Sequence, residues 1–217
     1  VRMVHSITFP YLTLLASGGH CQFLIVENID VFTRLGSTID DSPGECYDKI
    51  AAFLGLGYPG GPHIEKRALN GNENRFSFPK PMLNKKNCNM SFSGLKTAVK
   101  RQADDIILKQ GGLYPSDIDD ICASFQKSTV EVFKNKSEYA MEIFKEKYGF
   151  VRGNFAIVGG VAANKKIRNS LEKTALKNGF DFFPVPQEFC TDNAAMIAYL
   201  GSQKFISGNY KTEDLIP

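Results

Sequence analysis

The sequence predicts an α/β domain with a mixed sheet and helices packed on it. Two observations lead there. Residues 11–26 form two apolar runs around Ser17-Gly18-Gly19, the signature of a hairpin. After a third strand, helical periodicity alternates with two further short apolar runs, a pattern that puts helices against a sheet. With 217 residues, 43% of them hydrophobic, the chain can bury one sizeable core, or one core plus elements of a second.

The elements follow in order. Residues 32–39 read as a third strand, with Phe32, Leu35 and Ile39 apolar among short polar residues. Asp40-Asp41-Ser42-Pro43-Gly44 carries helix-start chemistry, acidic caps followed by proline. The helix it opens runs over 45–54, with Ile50, Phe53 and Leu54 on one face. The run GLGYPGGP at 55–62 stops that helix and reads as neither helix nor strand, and a short helix follows over 63–70. Residues 71–89 are polar and punctuated by proline, yet Phe76, Phe78 and Met82 make them an ordered excursion and not a solvated linker. Ser91-Phe92-Ser93-Gly94 leads into a helix over 95–108. The longest helical pattern spans 117–144, with Ile118, Ile121, Phe125, Val132, Tyr139, Ala140 and Ile143 recurring at helical spacing. A buried strand over 154–158 closes on Gly159-Gly160. A helix covers 164–178, a strand 180–185, and a last helix 191–206, opened by Thr191 and Asp192 as caps.

Composition narrows the function. Charge is balanced, with 26 basic and 23 acidic residues and a net charge of +3, which neither proves nor opposes nucleic-acid binding. Cys21, Cys46, Cys88, Cys122 and Cys190 are odd in number and form no CxxC pair, so neither a disulfide framework nor a zinc ribbon is indicated and a reducing compartment is the simpler reading. No apolar run is long enough to span a bilayer, and residues 1–9 do not read as a signal peptide. The chain begins with Val1 and enters a strand almost at once, which places the expected start upstream.

Several stretches could carry chemistry, each with a plainer alternative. Small residues at 17–19 let the backbone turn where φ is positive and leave bare N–H groups, an anion-binding concavity; an ordinary hairpin explains them equally. Gly159-Gly160-Val161-Ala162-Ala163-Asn164 sits between a strand and a helix, so that a flat ligand can lie on its backbone. Asn164 then reads either as a partner for a ribose or base, or as the helix cap. It is neither GxGxxG nor a Walker A loop. Asp40, Asp41, Glu45 and Asp48 form an acidic cluster, either favouring a helix N-terminus or placing Asp48 in a cleft. Asp192 reads as a plain N-cap. As a metal ligand it needs partners, and His5, His20 and His63 show no pair at ligand spacing. No Ser-His-Asp arrangement surrounds Ser17 or Ser93.

Taken together and in order, LLASGGHCQ, GSTIDDSPGECYDKIA, LGLGYPGGPHIEK, MSFSGLKTAV, ASFQ, IVGGVAAN and CTDNAAMIAY resemble the TsaD-like tRNA threonylcarbamoyladenosine transferases. The resemblance covers about residues 9–208 and is closest to the bacterial and mitochondrial branch. It implies an actin/Hsp70/sugar-kinase (ASKHA) fold. Residues 1–217 form its second, C-terminal lobe, with an inserted segment near 71–115 and without the N-terminal lobe. The implied reaction moves a threonylcarbamoyl group from threonylcarbamoyl-AMP to the adenosine 3′ of the tRNA anticodon.

By the same resemblance, Leu15, Ala16, Ser17, Gly18 and Gly19 line the phosphate side of the substrate, and the N–H groups of residues 17–19 stabilise its charge. Asp48 and Gly61 touch the ribose or threonylcarbamoyl end, Asn164 the nucleoside, and Asp192 is a ligand of one divalent metal per subunit, iron or zinc. The family's other ligands are two histidines of an HxxxH helix that falls before Val1, and His5 does not fit it. The chain alone is therefore expected to hold metal poorly and to be inactive or nearly so. Implied partners are tRNA, TsaB- and TsaE-like helper proteins in a bacterium, and a second copy in a mitochondrion. No membrane is involved, and the location is the cytoplasm or alternatively the mitochondrial matrix. The tRNA is expected around Lys85, Lys86, Lys96, Lys100 and Arg101, the alternative being a solvated face. Two other classes compete: an ATP-dependent kinase or ATPase of the same fold, and a non-catalytic fragment acting as a scaffold. A metalloprotease has no HExxH motif to rest on.

Overall fold

A computed structural model describes residues 1–149 and 152–208. Strands β1 (Tyr11–Ala16), β2 (Cys21–Val26), β3 (Phe32–Ser37), β4 (Gly153–Val158) and β5 (Phe180–Pro184) form one sheet in the order β3-β2-β1-β4-β5. β1 pairs antiparallel with β2, from Tyr11 opposite Val26 to Ala16 opposite Cys21. β3 continues the meander, with a register shift at Phe23/Leu24. β4 joins the other edge of β1 in parallel, and β5 joins β4 in parallel. The sheet is mixed, as the sequence predicts.

The alternation along β1 decides which face is the core. Leu12, Leu14 and Ala16 are fully buried in the main cluster, while Tyr11 belongs to a smaller cluster with Ile7, Val26 and Ala156 on the other face. The main cluster is covered by α1 (Pro43–Phe53), α2 (Gly60–Ala68), α3 (Ser93–Gln110), α4 (Pro115–Tyr148) and α5 (Lys165–Lys177). α4 is its axis: 34 residues long, about 50 Å at the helical rise, and in contact with α2, α3, α5, β1 and β2. The last helix, α6 (Ala194–Ile206), buries none of its residues.

The polar side of α4 holds the excursion. Ser124 Oγ accepts the Phe76 N–H and donates to the Asn72 carbonyl. Ser128 donates to the Phe78 carbonyl. Arg75 pairs with Asp117 and Asp120. Lys136, fully buried, donates its ammonium to the carbonyl oxygens of Met82, Lys85 and Asn87 at 2.6, 2.8 and 2.9 Å. Residues 72–87 thus ride along α4 in register, ordered as expected.

Three expectations about helix starts change. The cap of α1 is Ser42, whose Oγ accepts the Glu45 N–H. Asp40 instead accepts the Phe92 and Ser93 N–H groups at the start of α3, and Asp41 pairs with Lys96. Gly60, Gly61 and Pro62, read as loop, form the first turn of α2; proline suits a first turn because its missing N–H is not needed there. α6 is capped by Asn193, whose Oδ1 accepts the Met196 N–H, leaving Thr191 and Asp192 outside the helix. β3 ends at Ser37, two residues short of the reading, with Ile39 61% exposed.

Candidate functional site

The parallel pairing of β1 and β4 puts Leu15 opposite Val158, so the two strands end side by side. In open α/β sheets, ligands bind outside the carboxyl ends of strands. The loops that follow, residues 17–20 and 159–164, meet there. Gly159 makes the meeting possible. Its φ is +92°, and a Cβ on it would lie 2.3 Å from the Ala16 carbonyl oxygen.

The turn at 17–20 is docked on α1. The Ser42 hydroxyl donates to the Gly18 carbonyl, and the Gly44 N–H donates to the Ser17 carbonyl at 3.3 Å. Its N–H groups are not bare, which corrects the expectation. Ser17 Oγ accepts the Gly19 and His20 N–H groups at 3.3 and 3.0 Å, and the Ser17 N–H reaches the His20 carbonyl at 2.8 Å. Of residues 17–19, Gly18 alone keeps an N–H without a partner among the described residues. Nor is φ positive at Gly18 or Gly19. A Cβ at either would meet nothing within 4 Å, so the small residues leave room beside the turn without being forced by its backbone.

Below the turn lies a cavity of about 350 Å³, lined by Gly18, Asp48, Gly61 and Asn164 together with Glu65, Gly160, Val161 and Thr191. Four predicted site residues, far apart in sequence, therefore line one cavity. Asp48 Oδ1 accepts the Gly60 N–H at 2.7 Å and ties α1 to the start of α2; Oδ2 has no partner among the described residues. Asn164 takes the helix-cap alternative: Oδ1 accepts the Ile167 N–H and Nδ2 donates to Gln126. Its residue still faces the cavity. Arg168 holds the 159–164 loop in place by donating to the carbonyls of Ala162 and Val185.

Leu15, Ser17 and Gly18 also line a wider cavity of about 770 Å³ between the sheet and α6, with His20 and Asp192. Ala16 is buried in the core, and Gly19 lines neither space. Asp192 is exposed and reaches only this second cavity and not the first. Among the described residues no three His, Cys, Asp or Glu side chains are grouped to hold a metal ion, so Asp192 has no donor set around it here.

Sequence reasoning missed Glu65. It stands on α2 and lines the same cavity, and its Oε1 accepts the Lys165 N–H at 2.6 Å at the start of α5. The signal lay in its place one turn after Gly61 in the helix that the glycine run begins. The cysteines offer no nucleophile. All five are free and buried, and burial pushes Cys46 up to about 12 and Cys88 up to about 11, where the reactive thiolate is negligible near neutrality.

The family model for TsaD, tRNA N6-adenosine threonylcarbamoyltransferase, matches residues 1–199. Curated proteins of that printed name are close in sequence. One from Cereibacter sphaeroides is 48% identical over 214 residues, covering 99% of this chain and 59% of the relative. One from Ruegeria sp. is 47% identical over 207 residues, covering 95% and 56%. One from Paracoccus denitrificans is 46% identical over 214 residues, covering 99% and 58%. The chain thus spans less than two thirds of the length of the relatives it matches.

Proposed function

Because the chain belongs to the TsaD family of tRNA N6-adenosine threonylcarbamoyltransferases, we propose that it forms the nucleotide-holding part of an enzyme that transfers a threonylcarbamoyl group from threonylcarbamoyl-AMP to the adenosine 3′ of the tRNA anticodon. The observation that carries this reading is the convergence of Gly18, Asp48, Gly61 and Asn164 on one cavity of about 350 Å³. Such a volume lies within the range of small-ligand pockets. The strand order β3-β2-β1-β4-β5 supports the further reading of the chain as the second lobe of an actin/Hsp70/sugar-kinase fold. Family membership speaks against the kinase alternative, while a non-catalytic fragment stays compatible with a chain that spans 56–59% of these relatives.

The chemistry needs position more than reactive side chains. The exocyclic amine of adenosine attacks the carbamoyl carbon, a C–N bond forms, the C–O bond to the phosphate breaks, and AMP leaves while the amine proton is released. Holding both reactants in line supplies most of the acceleration. The free Oδ2 of Asp48 accepts a hydroxyl of the adenylate, Glu65 lines the same cavity, and the Gly18 N–H donates to the phosphate. The backbone at Gly160 and Val161 supports the nucleoside. Asp192 would be a ligand of the divalent metal, iron or zinc, that the resemblance implies; among the described residues no donor set surrounds it, so these residues do not by themselves fit that metal, and no step here runs through it. Transfer RNA is the proposed acceptor, TsaB- and TsaE-like proteins the proposed helpers.

Asp48→Asn tests the assignment. Asparagine keeps an acceptor for the Gly60 N–H and removes the charge from Oδ2. A hydrogen bond to a charged group contributes about 1.5–3 kcal/mol, so calorimetry with a non-hydrolysable threonylcarbamoyl-AMP analogue should show a loss of about tenfold or more, with thermal unfolding little changed. Unaltered affinity would remove Asp48 from the site.

A further inference from the structure

A groove of about 880 Å³ runs between α2, α4 and α5 and adjoins the adenylate cavity, since Pro62 and Glu65 line both. Lys66, Lys165, Lys166 and Lys173 line it, against Glu65 and Glu73. Lys166 pairs with Glu73, and Glu65 is engaged by the Lys165 backbone. Lys66 and Lys173 are exposed, and neither has a partner among the described residues. The groove therefore keeps positive charge that no described residue neutralises, beside the pocket proposed for the adenylate.

We propose that this lysine groove, and not the α3 surface, carries the sugar-phosphate backbone of the RNA whose adenosine enters the cavity; this rests on the reading of RNA as the acceptor. Spacing and connection support it. Lys166 and Lys173 are seven residues apart on α5, two turns and about 10 Å along one face, so a backbone that follows α5 meets Lys173, which no carboxylate holds among the described residues, and Lys166, which exchanges Glu73 for a phosphate. An acceptor held here has its bases next to the pocket mouth at Pro62 and Glu65. The α3 set is weaker on the same grounds. None of Lys85, Lys86, Lys96, Lys100 or Arg101 lines the cavity or the groove. No aromatic side chain lines the groove, so it suits phosphates and not stacked bases.

The test is fluorescence-anisotropy titration of a labelled anticodon stem-loop RNA against the 217-residue chain, its K66Q/K173Q variant and its K100Q/R101Q variant, over a range of salt. Two lost phosphate contacts lower the log–log salt slope by about 1.4, which at about 0.15 M salt is about a tenfold loss of affinity. That result for K66Q/K173Q, with K100Q/R101Q near wild type and unchanged melting of both, supports the groove. No RNA binding by the wild type, an equal or larger loss in K100Q/R101Q, or equal displacement by polyglutamate of the same charge, which would assign the groove to an acidic protein, overturns it. Calorimetry with the adenylate analogue separates the two readings. RNA binding that depends on Lys66 and Lys173 without analogue binding supports the groove and refutes the pocket.

Discussion

Gly60 and Gly61 are neighbours in the first turn of α2, and the structure gives them opposite roles. A Cβ at Gly60 would lie 2.6 Å from the Tyr47 carbonyl oxygen, 2.7 Å from Ala51 Cβ and 2.8 Å from Asp48 Cα. Two of those atoms are backbone of α1, and no rotamer relieves them. Gly60→Ala must push α2 away from α1, an overpacking of about 1–3 kcal/mol. Loosening the Asp48–Gly60 hydrogen bond adds about 1 kcal/mol. For a chain of this size the sum, about 2–4 kcal/mol, lowers the melting temperature by roughly 4–16 °C. Gly61→Ala meets nothing within 4 Å and replaces glycine in a helix, which gains up to about 1 kcal/mol. Its methyl, however, enters the cavity. Urea unfolding and analogue calorimetry on both variants read the difference. Gly60→Ala should lose stability and affinity together, and Gly61→Ala should keep stability and lose affinity about tenfold. Equal destabilisation by the two, or none by Gly60→Ala, would refute the close approach of α1 and α2 that shapes the site.

Acid should find Asp40. Burial pushes its carboxyl up, but the hydrogen bonds from Ser91, Phe92 and Ser93 more than offset this and hold it below the ordinary value of 3.8. A carboxylate depressed in the fold stabilises above its unfolded pKa, and that contribution fades as pH falls through the folded one. Urea midpoints of wild type and Asp40→Asn should therefore differ at pH 6 and draw together as the pH falls below 3.8 and through the lower folded value; a constant gap would exclude the carboxylate. Lys136→Met leaves three carbonyls without their donor, a loss of about 1–3 kcal/mol for unsatisfied acceptors. Hydrogen exchange should quicken at residues 82–89 before the rest of the chain, and unchanged protection there would show that the ammonium does not anchor the segment.

What the sequence made legible follows from period and small residues. The hairpin, the two parallel strands and the long helix announce themselves by apolar spacing, and all are found. The helix starts do not, because several polar residues in a row compete to cap. Asp40, Asp41 and Ser42 are interchangeable on paper. Only the approach of the α3 start, some fifty residues later in the chain, takes Asp40 away from α1. Gly60-Gly61-Pro62 read as a breaker because glycine weakens helices in isolation, whereas here contact with α1 imposes the turn. Of the proposed site, the motif residues Gly18, Asp48, Gly61 and Asn164 were legible, and they face a common space. Glu65 and the groove lysines were hidden because ordinary charged residues on helix surfaces carry no signal until two helices are placed side by side.

The turn at 17–20 shows how the same residues can mislead. Ser-Gly-Gly suggests an open nest of N–H groups, yet the serine hydroxyl fills that nest itself, holding the Gly19 and His20 N–H groups. A phosphate then finds one free donor, at Gly18, and the hydroxyl is a brace for the loop. Ser17→Ala separates these roles. If the hydroxyl contacted phosphate, its loss would weaken analogue binding by the strength of a charge-assisted hydrogen bond, about tenfold or more. If it braces the turn, the variant loses about 1 kcal/mol of stability while affinity moves less than about twofold, because the freed Gly19 and His20 N–H groups become available to the same anion. The bracing geometry predicts the second outcome, and a tenfold loss of affinity at unchanged stability would return the hydroxyl to the phosphate.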